Sequence, residues 1–245
     1  MAKERRKSAP EVLAQKLVTR KNGRLKFREM PPLLFHRLDI SEQNVARTYE
    51  RYLNSLQEDK VALLKHFEIV DYATKVVGTG SVGTFCAVAL LVGPNDDHLI
   101  LQVKEARRSV LEPYTRPCAF DNQGQRIVVG QRTLQSASDM FLGWSLGENG
   151  KHFYVRQLRD IKMSPNPALW TKPHLPKVTS FAAKILAKAH AKSGEAAAIR
   201  DYIGRGDKFA KDIAKYAISY AAQTECDYED FSRACASGIL PCVEQ

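Results

Sequence analysis

No apolar run in this chain is long enough to cross a bilayer, since a spanning helix needs about 20 mostly apolar residues. No C-x-x-C pair occurs among its five cysteines, Cys86, Cys118, Cys226, Cys235 and Cys242. The odd count and the missing pair argue against a disulfide framework and a structural zinc site, and place the chain in a reducing cytoplasm. The basic start, Met1-Ala2-Lys3-Glu4-Arg5-Arg6-Lys7, has no apolar segment behind it, so it does not read as a secretory signal. There is no internal repeat and no low-complexity segment.

What is present suits a folded protein. The 245 residues allow one large or two small domains, and a hydrophobic fraction of 44% supports a core. The formal charge of +10 favours polyanions. No nucleic-acid motif accompanies that charge, so solvated lysine faces are the preferred reading over direct nucleic-acid binding.

The chain is organised around Val76-Val77-Gly78-Thr79-Gly80-Ser81-Val82-Gly83-Thr84 and the apolar run behind it, Phe85 to Leu91. Gly78, Gly80 and Gly83 give the spacing G-x-G-x-x-G. Glycines let backbone amides approach a ligand with no Cβ in the way. In dinucleotide-binding folds such a turn opens a helix. Here the run from Phe85 is short and valine-containing, and reads as a buried strand. Gly93-Pro94-Asn95-Asp96-Asp97 then turns the chain into a second apolar run, Leu99 to Val103, which delivers Lys104 and Glu105. A glycine loop between two strands, with a lysine on the next, is the arrangement in which kinases hold nucleotide phosphates. The competing readings are a purely structural hairpin and an ordinary exposed Lys104–Glu105 pair.

Along the chain, Ser8-Ala9-Pro10-Glu11 reads as a helix start, and Asn22-Gly23 as a hairpin turn between Val18-Thr19 and Leu25-Lys26-Phe27. Ser41 caps a helix whose face is Val45, Tyr49, Tyr52, Leu53 and Leu56. Strand material begins at Phe67. A helix is expected from about Gly124 to Asp139, then a hairpin of Phe141 to Ser145 with His152 to Val155. The proline-containing stretch Met163 to Pro176 reads as a linker. Helices follow from Lys177, from about Lys208, and over Tyr228 to Ala236. The expected domains are 1–57, a basic helix and hairpin with a packing helix; 58–162, a sheet with the glycine loop; and 163–245, a helical part.

Several segments resemble one family. They are Val76 to Thr84, Leu101 to Ala106, Ser109 to Tyr114, Gly130-Gln131-Arg132, Ala137 to Trp144, Phe153 to Asp160 and Ala189 to Gly194. In this order they resemble the bacterial family called domain of unknown function 2252, over about Leu25 to Gly238 and corresponding to the family's C-terminal part only. That family looks like the protein-kinase and aminoglycoside-phosphotransferase superfamily, with its elements permuted. The resemblance implies an α+β, kinase-like fold: a small antiparallel sheet with one packed helix, then a helical subdomain. It implies a nucleotide-phosphate site at Gly78, Gly80, Ser81, Gly83, Thr84 and Lys104, supported by Gln125, Arg156 and Arg159, with ATP as ligand.

The departures from the family shape the expectation. Its G-D-x-H-x-x-N-F-G and D-F-D motifs, which resemble a catalytic loop and a metal-binding aspartate, belong to a preceding half and do not occur here. Gln125 stands where the family often has glutamate. Leu158-Arg159-Asp160 with Asn166 imitates H-R-D-x-x-x-x-N, but the histidine is missing and the spacing is one residue too long. Asp160 is therefore a weak catalytic candidate. The expectation is a chain that is a fragment, a degenerate member or one piece of a split enzyme. It would bind nucleotide without being a competent phosphotransferase alone, with magnesium only if a separately encoded half or self-association completes it. The alternative is a basic, non-catalytic module for nucleic acid or an acidic partner. His190 reads as a packed or surface histidine in preference to a phosphate contact, the stripe Lys184, Lys188 and Lys192 as a solvated face, and Cys86 as inert core. Arg156 and Arg159 read first as a salt-bridged strand edge.

Overall fold

Strand β5, Cys86–Val92, is buried along most of its length, and the sheet is built outward from it. The computed structural model describes residues 16–78, 83–158, 171 and 173–241. The fold is α+β. Six antiparallel strands form one sheet in the order β3-β4-β5-β6-β8-β7. They are β3 Leu34–Phe35, β4 Glu68–Lys75, β5, β6 His98–Glu105, β7 Gly143–Leu146 and β8 His152–Gln157. A two-stranded ribbon, β1 Val18–Lys21 with β2 Arg24–Phe27, turns at Asn22 and Gly23, both with positive φ. That is the geometry which favours an Asn-Gly pair.

Side chains alternate across β5 and feed two cores. Val88 and Leu90 point to one face, with Leu34, Ala73, Ile100 and the ribbon residues Val18 and Phe27. Ala89 and Leu91 point to the other, with Leu99, Leu101, Val155 and Tyr52. Tyr52 belongs to helix α1, Glu42–Leu53, whose cap is Ser41: its hydroxyl oxygen accepts from the Asn44 amide at 3.2 Å. A short helix, α2 Glu58–Leu64, follows. Helix α3, Gln123–Leu134, packs against β7 and β8. It lies so close that a Cβ on Gly124 would sit 2.0 Å from the Phe153 carbonyl oxygen. Helices thus pack on the sheet at α1 and α3, where one packed helix was expected.

The hairpins at Asn22-Gly23 and between β7 and β8 form where the sequence places them, as does the strand behind the glycines. Helix α3 ends at Leu134, short of the expected Asp139. Gln135 is already extended, and the Asp139 carboxylate is taken by two amides, Phe141 N at 2.9 Å and Gln157 N at 2.5 Å. Leu56 lies beyond the end of α1 yet still packs on the same core. The helix start at Ser8 and most of the expected linker lie outside the described residues.

The chain divides into two compact units, residues 1–189 and 190–245. Helix α4, Leu175–Ser193, begins before Lys177, with Pro176 in its first turn. Helices α5, Ala196–Ile203, and α6, Asp207–Ala236, make up most of the second unit. α6 is one continuous helix of 30 residues where two were expected. No glycine or proline occurs in it, so nothing in the backbone stops it.

The ribbon is locked to the sheet by a buried carboxylate. Asp71 accepts from the Phe27 amide at 2.6 Å and pairs with His36 Nε2 at 3.0 Å, while His36 Nδ1 meets Glu29. Partial burial by itself would lower the imidazole's pKa, but Glu29 and Asp71 together raise it above the ordinary value. A raised folded-state pKa stabilises fully below the unfolded value and stops doing so as pH rises through the folded one. The expected outcome is a urea midpoint that falls as pH climbs from about 6 through the range above 6.5. In His36→Gln this slope should flatten; an unchanged slope would refute the assignment.

Candidate functional site

The segment Gly78–Gly83 joins β4 to β5, and Lys104 stands on β6. Gly83 has φ +76, a conformation that L side chains rarely adopt. Its carbonyl oxygen accepts from the Arg107 guanidinium. Thr79, Gly80, Ser81 and Val82 lie outside the described residues, as do Arg159, Asp160 and Asn166. Of the expected site residues, Gly78, Gly83, Thr84, Lys104, Gln125 and Arg156 are therefore described.

Register sorts the rest. Cys86, Lys104 and Tyr154 stand in one cross-strand row, and Val88, Gln102 and Arg156 in the next on the same face. Gln102 is buried, 2% exposed. Its amide nitrogen donates to Cys86 Sγ at 3.6 Å, and its Oε1 accepts from Arg156 Nε at 3.0 Å. Lys104 Nζ lies 5.9 Å from the Tyr154 ring centroid, a cation–π distance. Burial pushes the Cys86 thiol up; Lys104, Lys75 and Arg156 act on it in the opposite direction without overcoming burial. The thiol is thus held protonated, as expected of an inert core cysteine. Lys104 stands in its cross-strand row, near the end of β6 beside the glycine segment, Lys75 ends β4 just before that segment, and Arg156 lies one row further from it, opposite Gln102. Lys75 is a residue the sequence reading passed over; its place at the end of β4, just before the glycines, was the available signal.

Register and packing bear on three further readings. Lys104 and Glu105 are not a pair, because neighbours on a strand face opposite ways. Glu105 instead binds Arg107 at 3.1 Å and Lys151 at 3.4 Å, and accepts from the Phe85 amide at 2.9 Å. Arg156 is not on a strand edge, since β8 lies between β6 and β7, and its described partner is an amide rather than a carboxylate. Gln125 sits in the first turn of α3, where its backbone amide donates to Asn122 Oδ1 at 3.2 Å. Among the described residues, no ion pair or hydrogen bond joins it to Lys104. His190 and the three lysines of α4 are exposed.

Among the described residues no group of three or more His, Cys, Asp or Glu side chains is placed to hold a metal ion, and no helix is long and apolar enough to cross a membrane.

Compared with protein families, residues 1–234 match domain of unknown function 2252, described as an uncharacterized protein conserved in bacteria. The chain belongs to this family. The match takes in essentially the whole chain, so the family likeness is not limited to a C-terminal part and includes the basic segment before Leu25. No curated protein and no solved structure matches it. Family 2252 membership thus carries no activity with it, and the chemistry must be argued from the residues.

The Glu105 carboxylate is the tie that holds the exit of the glycine segment. Burial would raise its pKa, but the Phe85 amide, Arg107 and Lys151 together hold it below the ordinary value. A lowered folded-state pKa stabilises above the unfolded value and stops doing so as pH falls through the folded one. Glu105→Ala should cost about 1–3 kcal/mol in denaturant unfolding at neutral pH. The difference from the parent chain should shrink as pH falls below 4.5. A variant as stable as the parent at neutral pH would contradict the anchor role.

Proposed function

We propose that this protein binds the phosphate groups of a nucleotide, ATP foremost, at the glycine segment Gly78–Gly83 together with Lys104, with Lys75 and Arg156 in support. The observation that carries the reading is the placement of Lys75 and Lys104 beside the glycine segment, with Arg156 one cross-strand row further along the same face as Lys104. Phosphate oxygens are recognised by backbone amides and cationic side chains. The order of elements supports a kinase-like reading of the lobe. The glycine segment joins two antiparallel strands, the lysine lies on the next strand, and a helix, α3, precedes the closing hairpin. Protein kinases cover their nucleotide with the same succession of parts.

The chain alone is not a competent phosphotransferase in this reading. Phosphoryl transfer needs groups that hold magnesium and a group that orients the nucleophile. The described residues contribute the clamp on the phosphates. The carboxylates would come from a separately encoded half or from a second copy, and magnesium would bind only there. The acceptor would also be selected there.

Titration of the purified chain with a fluorescent ATP analogue tests the clamp. Saturable binding is expected, weakened roughly 10-fold or more by Lys104→Ala, as for loss of a charged hydrogen bond worth about 1.5–3 kcal/mol. Binding indifferent to Lys104→Ala but steeply reduced by salt would favour a basic module for polyanions instead. Magnesium-dependent ATP turnover by the isolated chain, abolished in Asp160→Asn, would overturn the non-catalytic part of the reading.

A further inference from the structure

From Lys16 to Arg28, six of 13 residues are lysine or arginine and none is acidic. Most of them lie on the ribbon β1–β2, and its register sorts them. Val18 stands opposite Phe27, and both are buried in the core beneath the ribbon. Arg20, opposite Leu25, shares that face. Its guanidinium donates to the Gly23 carbonyl oxygen at 3.0 Å and pairs with Asp96, on the turn between β5 and β6, at 2.9 Å. Arg28 Nε donates to the Val18 carbonyl oxygen at 3.1 Å. These two cations hold the ribbon together and to the sheet.

Three more cations share the other face. Lys21 stands directly opposite Arg24, and Lys26 opposite Thr19. All three are exposed. Among the described residues, none of their side chains makes an ion pair or a hydrogen bond. His36 chiefly holds the Glu29 carboxyl below its ordinary pKa; Lys21 adds to this electrostatically but does not pair with it. Like charges directly opposite on two strands are destabilising. A slip of one residue would part Lys21 from Arg24 but turn Val18 and Phe27 out of the core. The ribbon therefore presents a fixed array of unpaired positive charge.

What such an array recognises follows from what it lacks. The outward residues Thr19, Lys21, Arg24 and Lys26 include no aromatic and no large apolar side chain. A protein interface needs an apolar centre, and binding to single strands rests on stacking against aromatics. Attraction to a membrane surface by charge alone takes a cluster of roughly four to eight cations. Sequence-independent binding to a duplex rests on cations against phosphates, which duplex DNA carries at one charge per about 1.7 Å. The major groove also admits a two-stranded ribbon.

We propose that the outward face of the β1–β2 ribbon binds the phosphate backbone of double-stranded nucleic acid, without regard to base sequence. The site is separate from the nucleotide clamp, since none of its residues belongs to the six-stranded sheet.

Fluorescence anisotropy of the full chain with fluorescein-labelled DNA duplexes of two unrelated sequences tests this. Both should bind alike, with a Kd of roughly 1–100 μM that weakens steeply with salt. The triple variant Lys21→Gln, Arg24→Gln, Lys26→Gln should lower the slope of log K against log salt by about 3 and weaken binding roughly 10-fold or more. Arg24→Gln alone should lower the slope by about 1. Far-ultraviolet circular dichroism should not change, because the replaced side chains are exposed. A second triple variant, Lys184→Gln, Lys188→Gln, Lys192→Gln on α4, removes the same charge and should leave the slope as it is in the parent chain. Equal losses in the two triple variants would mean that net charge alone drives association, and would overturn the proposal. So would tighter binding to the single strand than to the duplex, no binding to the duplex, or binding to phosphatidylserine vesicles in its place.

Discussion

Burial of β5 on both faces is the constraint on which the rest of this fold depends. A strand covered on one side needs one core; β5 needs two, and its alternation assigns Val88 and Leu90 to one and Ala89 and Leu91 to the other. The ribbon β1–β2 covers the first face near its middle, and α1 covers the second. A slip of one residue in the register of β5 against β6 would exchange the two sets and bury Lys104 beneath α1. The register is therefore strongly specified, and so is everything it carries.

Adjacent residues Lys104 and Glu105 show what this division accomplishes. Lys104 faces the cationic side, against the Tyr154 ring. Glu105 faces the other way and secures the Phe85 amide, Arg107 and, through it, the Gly83 carbonyl. The end of the glycine segment is thus fastened from behind the sheet. Were the two residues a surface pair, each would neutralise the other, and surface pairs contribute at most about 1 kcal/mol.

Much of this was legible in the sequence because the signals were local. Asn22-Gly23 demands a tight turn, Ser41 caps a helix, and the apolar run behind Gly83 is too short for one. The sites where the reading erred depend on partners distant in sequence. Nothing local ends α3 at Leu134; the Asp139 carboxylate does, by binding the amide of Gln157 on another strand. Nothing local shows that β8 is interior, which removes Arg156 from an edge. Lys75 was overlooked because a lysine at a strand end is ordinary until register sets it near Cys86, across from the row of Lys104.

Three cations gathered on one side of a sheet repel one another, and a protein selected for stability alone would insert a carboxylate. The buried residue that Arg156 binds is an amide instead. Gln102 is buried and both ends of its amide are used, Nε2 on Cys86 and Oε1 on Arg156. A glutamate of the same length could hold Arg156 equally well, yet it would cancel the charge it oriented. An amide fixes the direction of the Arg156 guanidinium without itself supplying a negative charge. That combination of firm orientation with unspent charge is what separates a phosphate-binding surface from an ordinary ion-paired one, and it is the physical ground on which the proposed function rests.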